Sequence, residues 1–159
     1  MIKGMYEAHL PVSNLDKSIE FYKNLGLEFA WKDKDTAFFW IEKKKSWLGL
    51  WEGEEYKIPY HPSIRHIAFC IDYINMKHAL TWLKSKNIEA IPFGERESVE
   101  PFVRPNQGNA SVYFNDIDGN SLELICFIDV PERLKGISTK LSLAEWEILL
   151  KEDGSSFVS

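Results

Sequence analysis

Tyr6-Glu7-Ala8-His9-Leu10-Pro11-Val12 runs directly into Ser13-Asn14-Leu15-Asp16-Lys17-Ser18-Ile19-Glu20-Phe21-Tyr22-Lys23-Asn24-Leu25-Gly26, and within this stretch the spacing of apolar residues changes. In the first part Tyr6, Ala8, Leu10 and Val12 share one face and Glu7, His9 and Pro11 the other, the period of two of a half-buried strand. In the second, Leu15, Ile19, Tyr22 and Leu25 recur at helical spacing. Ser13 or Asn14 supplies an N-cap and Gly26 a left-handed stop. Three short apolar runs follow, 27–31, 36–41 and 46–51, separated by polar turns at 32–35 and 42–45. The order is β-α-β-β-β.

That order begins again at Arg65. Residues 65–71 read as a strand, and Asp72 caps a helix striped by Met76, Leu80 and Leu83, with Asn87 as its left-handed stop. Residues 88–93, 110–115 and 121–127 are the next strands. A long loop spans 94–109, and Asp118-Gly119 forms the tight turn at 116–120. A loop of that length reads as a binding loop or lid. Pro131 breaks the last strand. Ser142-Leu143-Ala144-Glu145 is a capping box opening a short helix with Trp146, Leu149 and Leu150, whose apolar stripe must cover the sheet or a partner subunit. The expected fold is α+β: two paired βαβββ modules forming a cup-shaped mixed sheet, with a short C-terminal helical extension. One domain covers 1–128, module 1 about 1–57 and module 2 about 58–128, followed by a tail over 129–159.

Composition narrows the function. The 159 residues carry a net charge of -5, and the basic residues are scattered apart from Lys43-Lys44-Lys45, which reads as an exposed turn. That leaves no basic footprint for a nucleic acid. No run approaches the roughly 20 apolar residues that cross a bilayer. Met1-Ile2-Lys3-Gly4 lacks the features of a signal peptide, so a cytoplasmic location is expected. Cys70 and Cys126 lie inside apolar runs and are expected as buried, reduced thiols. Aromatic residues reach 14%, enough for some rings to line a pocket.

Several polar residues stand where a strand should be apolar or face a core. Glu7 and His9 share a face of the first strand, His66 opens the second module, and Glu123 lies between Leu122 and Leu124 in the last strand. A carboxylate there is costly unless paired or bound to a metal. Imidazole with carboxylates is the ligand set of mononuclear Mn, Fe, Ni or Zn sites. Blander arrangements compete: Glu7 bonded only to His9, Glu123 paired with Arg104, His66 held by backbone, and Arg104 at the surface.

The run Val12-Ser13-Asn14-Leu15-Asp16-Lys17-Ser18-Ile19-Glu20-Phe21-Tyr22 with Leu25-Gly26-Leu27 resembles the opening of a vicinal oxygen chelate domain. This is the glyoxalase, bleomycin-resistance and extradiol-dioxygenase superfamily. His66-Ile67-Ala68-Phe69 is similar to that family's metal-binding strand. Residues 111–124, ending Ser121-Leu122-Glu123-Leu124, are similar to its closing hairpin. The resemblance covers roughly residues 5–128. It implies a divalent metal ion (Mn, Fe, Ni or Zn) at the centre of the cup, a small-molecule substrate chelated through neighbouring oxygens, and a homodimer. By position His66 and Glu123 match family ligands. The first-strand ligand position holds Glu7 rather than histidine, with His9 two residues on, and the fourth ligand of glyoxalase I falls near Gly49, which has no side chain to offer. If His9 is the ligand, Glu7 is left as a general base. Glu7 and Glu123 are therefore candidate catalytic residues, and Trp51, Phe102, Arg104 and Tyr113 candidates for substrate contact. Isomerase or lyase chemistry, thiol addition and ring-cleaving dioxygenation all stay open. The competing reading is a metal-free protein of the bleomycin-resistance type that sequesters an aromatic small molecule.

Overall fold

The computed structural model describes residues 4–61, 63–94 and 96–152; Met1-Ile2-Lys3, read above for a signal peptide, and tail residues 153–159 lie outside them. The chain divides into two compact units, Met1–His66 with Asp116–Ser121, and Ile67–Asn115 with Leu122–Ser159.

The first unit has the expected order: β1 (Glu7–Val12), α1 (Leu15–Leu25), β2 (Glu28–Lys32), β3 (Thr36–Glu42) and β4 (Ser46–Glu52). Asn14 is the cap, its Oδ1 accepting from the Lys17 amide at 2.9 Å, and Gly26 ends the helix at φ 103°, where a side chain would be strained. The strands run β1-β4-β3-β2. β1 pairs with β4 in parallel, while β3 is antiparallel to both its neighbours. Leu15, Ile19, Tyr22 and Leu25 of α1 are buried, as are Leu10, Val12, Ala37, Phe39, Leu48 and Leu50 of the strands. The alternate strand residues therefore point away from the helix. The Asp116–Ser121 turn is tied to this unit: Tyr22 Oη donates to Asp116 Oδ2 at 2.9 Å and Asn120 Nδ2 to the Pro11 carbonyl at 3.0 Å.

The second unit holds more elements than the spacing predicts. They are β5 (His66–Cys70), α2 (Tyr73–Met76), α3 (Ala79–Ser85), β6 (Ala90–Ile91), β7 (Phe102–Arg104), β8 (Asn109–Asn115), β9 (Ser121–Phe127), β10 (Leu141–Ser142) and α4 (Leu143–Glu152). Their sheet runs β10-β7-β8-β9-β5, with β6 pairing β8. The single expected helix is two, broken before Ala79, and the strand expected over 88–93 shrinks to Ala90–Ile91. The long loop contains a strand of its own, so Phe102 and Arg104 sit in a sheet rather than on a lid. The tail also joins the sheet, with Leu141 opposite Val103 and Ser142 opposite Phe102. The capping box forms as expected: the Glu145 amide donates to Ser142 Oγ at 3.2 Å and the Ser142 amide to Glu145 Oε2 at 2.7 Å. Trp146 of α4 is fully buried.

Cys126 is buried and free as expected, whereas free Cys70, the last residue of β5, is exposed rather than buried. Among the described residues no helix is long and apolar enough to cross a membrane.

Candidate functional site

In the first unit the face turned away from α1 carries Glu7 and His9. Parallel register sets Glu7 beside Trp47, His9 beside Gly49 and Pro11 beside Trp51. Trp47 Nε1 donates to Glu7 Oε2 at 2.8 Å, and Trp51 Nε1 to His9 Nδ1 at 2.7 Å. An indole N–H can only donate, so His9 Nδ1 accepts and the neutral ring carries its proton on Nε2. That nitrogen lies 3.4 Å from Glu7 Oε1. The indole of Trp47, then His9, hold the Glu7 carboxyl below its usual range. His9 rests over Gly49 and edge-on to Phe38. A Cβ at position 49 would meet His9 Nδ1 at 2.4 Å, so the glycine that removes a fourth ligand also makes room for this imidazole. Trp51 is half exposed and acts here as the partner of His9. His66, partly buried, lies with its Nδ1 3.2 Å from Ser121 Oγ.

In the second unit Arg104, Tyr113 and Glu123 meet at a cavity of about 370 Å³, lined also by Phe93, Asn109 and Lys140. Arg104 is only 9% exposed, which overturns the surface alternative. Its Nη1 donates to Ser111 Oγ at 2.8 Å and Asn109 Oδ1 at 3.1 Å, and its Nη2 to Tyr113 Oη at 2.8 Å. Nη1 also stands 3.6 Å from Glu123 Oε1, so the Arg104–Glu123 pair exists. Burial, reinforced by the Glu123 charge, pushes the Tyr113 phenol up to about 12. Phe93, Tyr113 and Phe102 stack, with centroids 4.3 Å apart for Phe93–Tyr113 and 5.8 Å for Phe93–Phe102. The cavity thus gathers Arg104, Tyr113 and Glu123, backed by Phe102, and its lining does not include Trp51.

In kind, the imidazole and carboxylate donors of His66, Glu123, Glu7 and His9 suit a divalent ion. Among the described residues no three His, Cys, Asp or Glu side chains form a group that could hold one. The sequence reading missed Lys140, Phe93, Asn109 and Trp47, and it gave Trp51 a substrate contact where the structure shows a hydrogen bond to His9. The tryptophans were visible as an excess of aromatics, but their partners depend on register.

No family model matches the chain. It is 34% identical over 128 residues to the metallothiol transferase FosB of Staphylococcus haemolyticus, covering 78% of this chain and 84% of that protein. The figures for FosB of Staphylococcus epidermidis are the same. Among solved structures, the integron cassette protein HFX_CASS4 from the Halifax Harbour sewage outfall metagenome superposes with a TM-score of 0.59 at 26% identity, covering 79% of this chain and all of that one. A glyoxalase/bleomycin resistance protein/dioxygenase from Alicyclobacillus acidocaldarius gives 0.58 at 16%, covering 82% and 95%. The fosfomycin resistance protein FosX of Listeria monocytogenes, complexed with Mn(II) and sulfate, gives 0.58 at 24%, covering 85% and 96%. These solved structures share the α+β fold of paired βαβββ modules.

Proposed function

We propose a reaction from the premise that the chain belongs to the FosB metallothiol transferase family, within the vicinal oxygen chelate superfamily. The reaction is the divalent-metal-dependent addition of a thiol to a small, anionic, oxygen-bearing electrophile. The observation that carries it is the cavity of the second unit, where a buried guanidinium, a phenol and a carboxylate converge beside stacked rings. Such a site is built for a compact ligand with a charged end and a carbon body.

In the reaction the thiol sulfur bonds to an electrophilic carbon, a carbon–oxygen bond breaks, and the departing oxygen takes up the proton lost from sulfur. Arg104, held by Ser111, Asn109 and Tyr113, is a rigid guanidinium that positions the charged end of the ligand. Tyr113 keeps its proton on Oη through neutral pH. Glu7, oriented by Trp47 and His9, is the oxygen donor of the first strand, because both His9 nitrogens are already engaged. By position in the family, Glu7 and His66 of the first unit and Glu123 of the second are the residues that would supply metal ligands. Held by such ligands, a divalent ion would supply Lewis-acid stabilisation of charge on the substrate oxygen.

The test incubates the protein with fosfomycin, a panel of low-molecular-weight thiols and Mn, Fe, Ni or Zn in turn, following thiol loss and the adduct by mass spectrometry. Metal content is measured beside it in wild type, His66→Ala and Glu123→Ala. Metal-dependent adduct, with metal lost from both variants, supports the reading; no adduct with any thiol and metal sinks it. A second reading, sequestration of a flat aromatic compound, draws on the stacked Phe93, Tyr113 and Phe102. It predicts a ligand recovered unchanged, with no need of metal.

A further inference from the structure

We infer that the C-terminal tail is part of the binding site, and that Lys140 is the residue through which the cavity selects an anionic substrate. Ser138 and Lys140 both line the cavity, although they lie beyond the closing strand of the second βαβββ module. Their place is fixed by the backbone. The Asn106 amide donates to the Ile137 carbonyl at 3.2 Å, and β10 pairs with β7 immediately after Lys140. The buried Trp146 and Leu150 of α4 then hold the tail down.

The charges in the cavity are unequal in kind. Arg104 is buried and committed to Ser111, Asn109, Tyr113 and, through 3.6 Å, Glu123. Its charge and that of Glu123, 3.6 Å away, largely offset each other. Lys140 Nζ rests over aromatic faces, 4.7 Å from the Phe93 centroid and 5.7 Å from that of Phe102. Among the described residues no carboxylate pairs with it. A cation–π contact leaves the ammonium hydrogens available to a ligand, so among the described residues Lys140 is the cavity charge that no carboxylate offsets. A flexible four-carbon stem suits contact with a compact anion whose position is set by Arg104. The inference rests on the proposed function only in placing the substrate in this cavity.

The experiment titrates wild type, Lys140→Met and Lys140→Arg with phenylphosphonate and with uncharged benzamide by calorimetry. Fosfomycin-dependent thiol loss and thermal stability are measured on the same preparations. Losing one charge-assisted contact predicts about tenfold weaker phenylphosphonate binding in Lys140→Met, less than twofold change for benzamide, and recovery in Lys140→Arg. Equal binding of phenylphosphonate by wild type and Lys140→Met overturns the inference. So does an equal loss of both probes, or binding of neither probe by wild type. Lys140-dependent binding without thiol loss upholds this inference and removes the thiol-transfer reading alone. Thiol loss with an unchanged fosfomycin KM in Lys140→Met does the reverse.

Discussion

Gly49→Ala tests the arrangement around His9 with a single methyl group. The new Cβ would stand 2.4 Å from His9 Nδ1, 2.6 Å from its Cε1 and 3.1 Å from Phe38 Cε1. The first two distances cannot be tolerated, so the imidazole must swing away, giving up the Trp51 hydrogen bond and the approach to Glu7. Overpacking of this kind costs about 1–3 kcal/mol, and the lost hydrogen bond adds about 1 kcal/mol. Replacing glycine by alanine inside a strand returns up to about 1 kcal/mol. The net is a loss of about 2 kcal/mol, or a Tm lower by about 4–8 °C in a chain of this size. The decisive assay is a double-mutant cycle with His9→Ala by thermal or urea unfolding. Without the imidazole only the 3.1 Å contact with Phe38 remains, so Gly49→Ala should cost less than about 0.5 kcal/mol in that background. A Tm for Gly49→Ala at or above wild type, or equal costs in both backgrounds, would refute the placement of His9 over Gly49.

Other predictions follow from the same geometry. Arg104→Ala leaves a buried carboxylate beside a lost cation and should cost about 3 kcal/mol in urea unfolding, partly recovered by adding Glu123→Gln; no recovery would dismiss the pair as a stabilising contact. Tyr22→Phe removes the donor to Asp116, a carboxyl whose burial already raises its pKa, and should cost about 1–3 kcal/mol. Because that folded-state pKa is raised, the folded protein binds the proton more tightly, and this group's contribution to stability falls as pH rises through the interval above 3.8. Cys70 should react rapidly with a disulfide reagent at pH 8, whereas Cys126, buried and with its thiol pushed up to about 11, should react only on unfolding. Equal rates for the two would contradict their placement.

Most of the first unit was legible because its signals are local. Asn14, Gly26 and the alternation through β1 each act within a few residues, and they define the strand and helix with nothing else known. The second unit was less legible for a physical reason. β7 is only three residues long, too short to show a period, and exists because β8 on one side and β10 on the other complete its hydrogen bonds. A loop and a three-residue strand have the same sequence signature, so a segment that reads as a binding loop or lid holds Phe102 and Arg104 buried within the sheet.

The site residues divide along the same line. Alternation within one strand puts Glu7 and His9 on one face, and this was readable. Which residues then touch them depends on which strand lies alongside and in what register, and β1 pairs with β4, with three elements between them in the chain. Trp47, Gly49 and Trp51 became partners of Glu7 and His9 only through that pairing, so the glycine read as an empty ligand position turns out to seat the imidazole. The same holds for Lys140, which reaches Phe93 because β10 is zipped to β7. Chemistry carried by one residue type at one strand position can be read from sequence. Chemistry that needs two distant strands to agree in register cannot, and in this protein the tautomer of His9 and the charge balance of the cavity are both of the second kind.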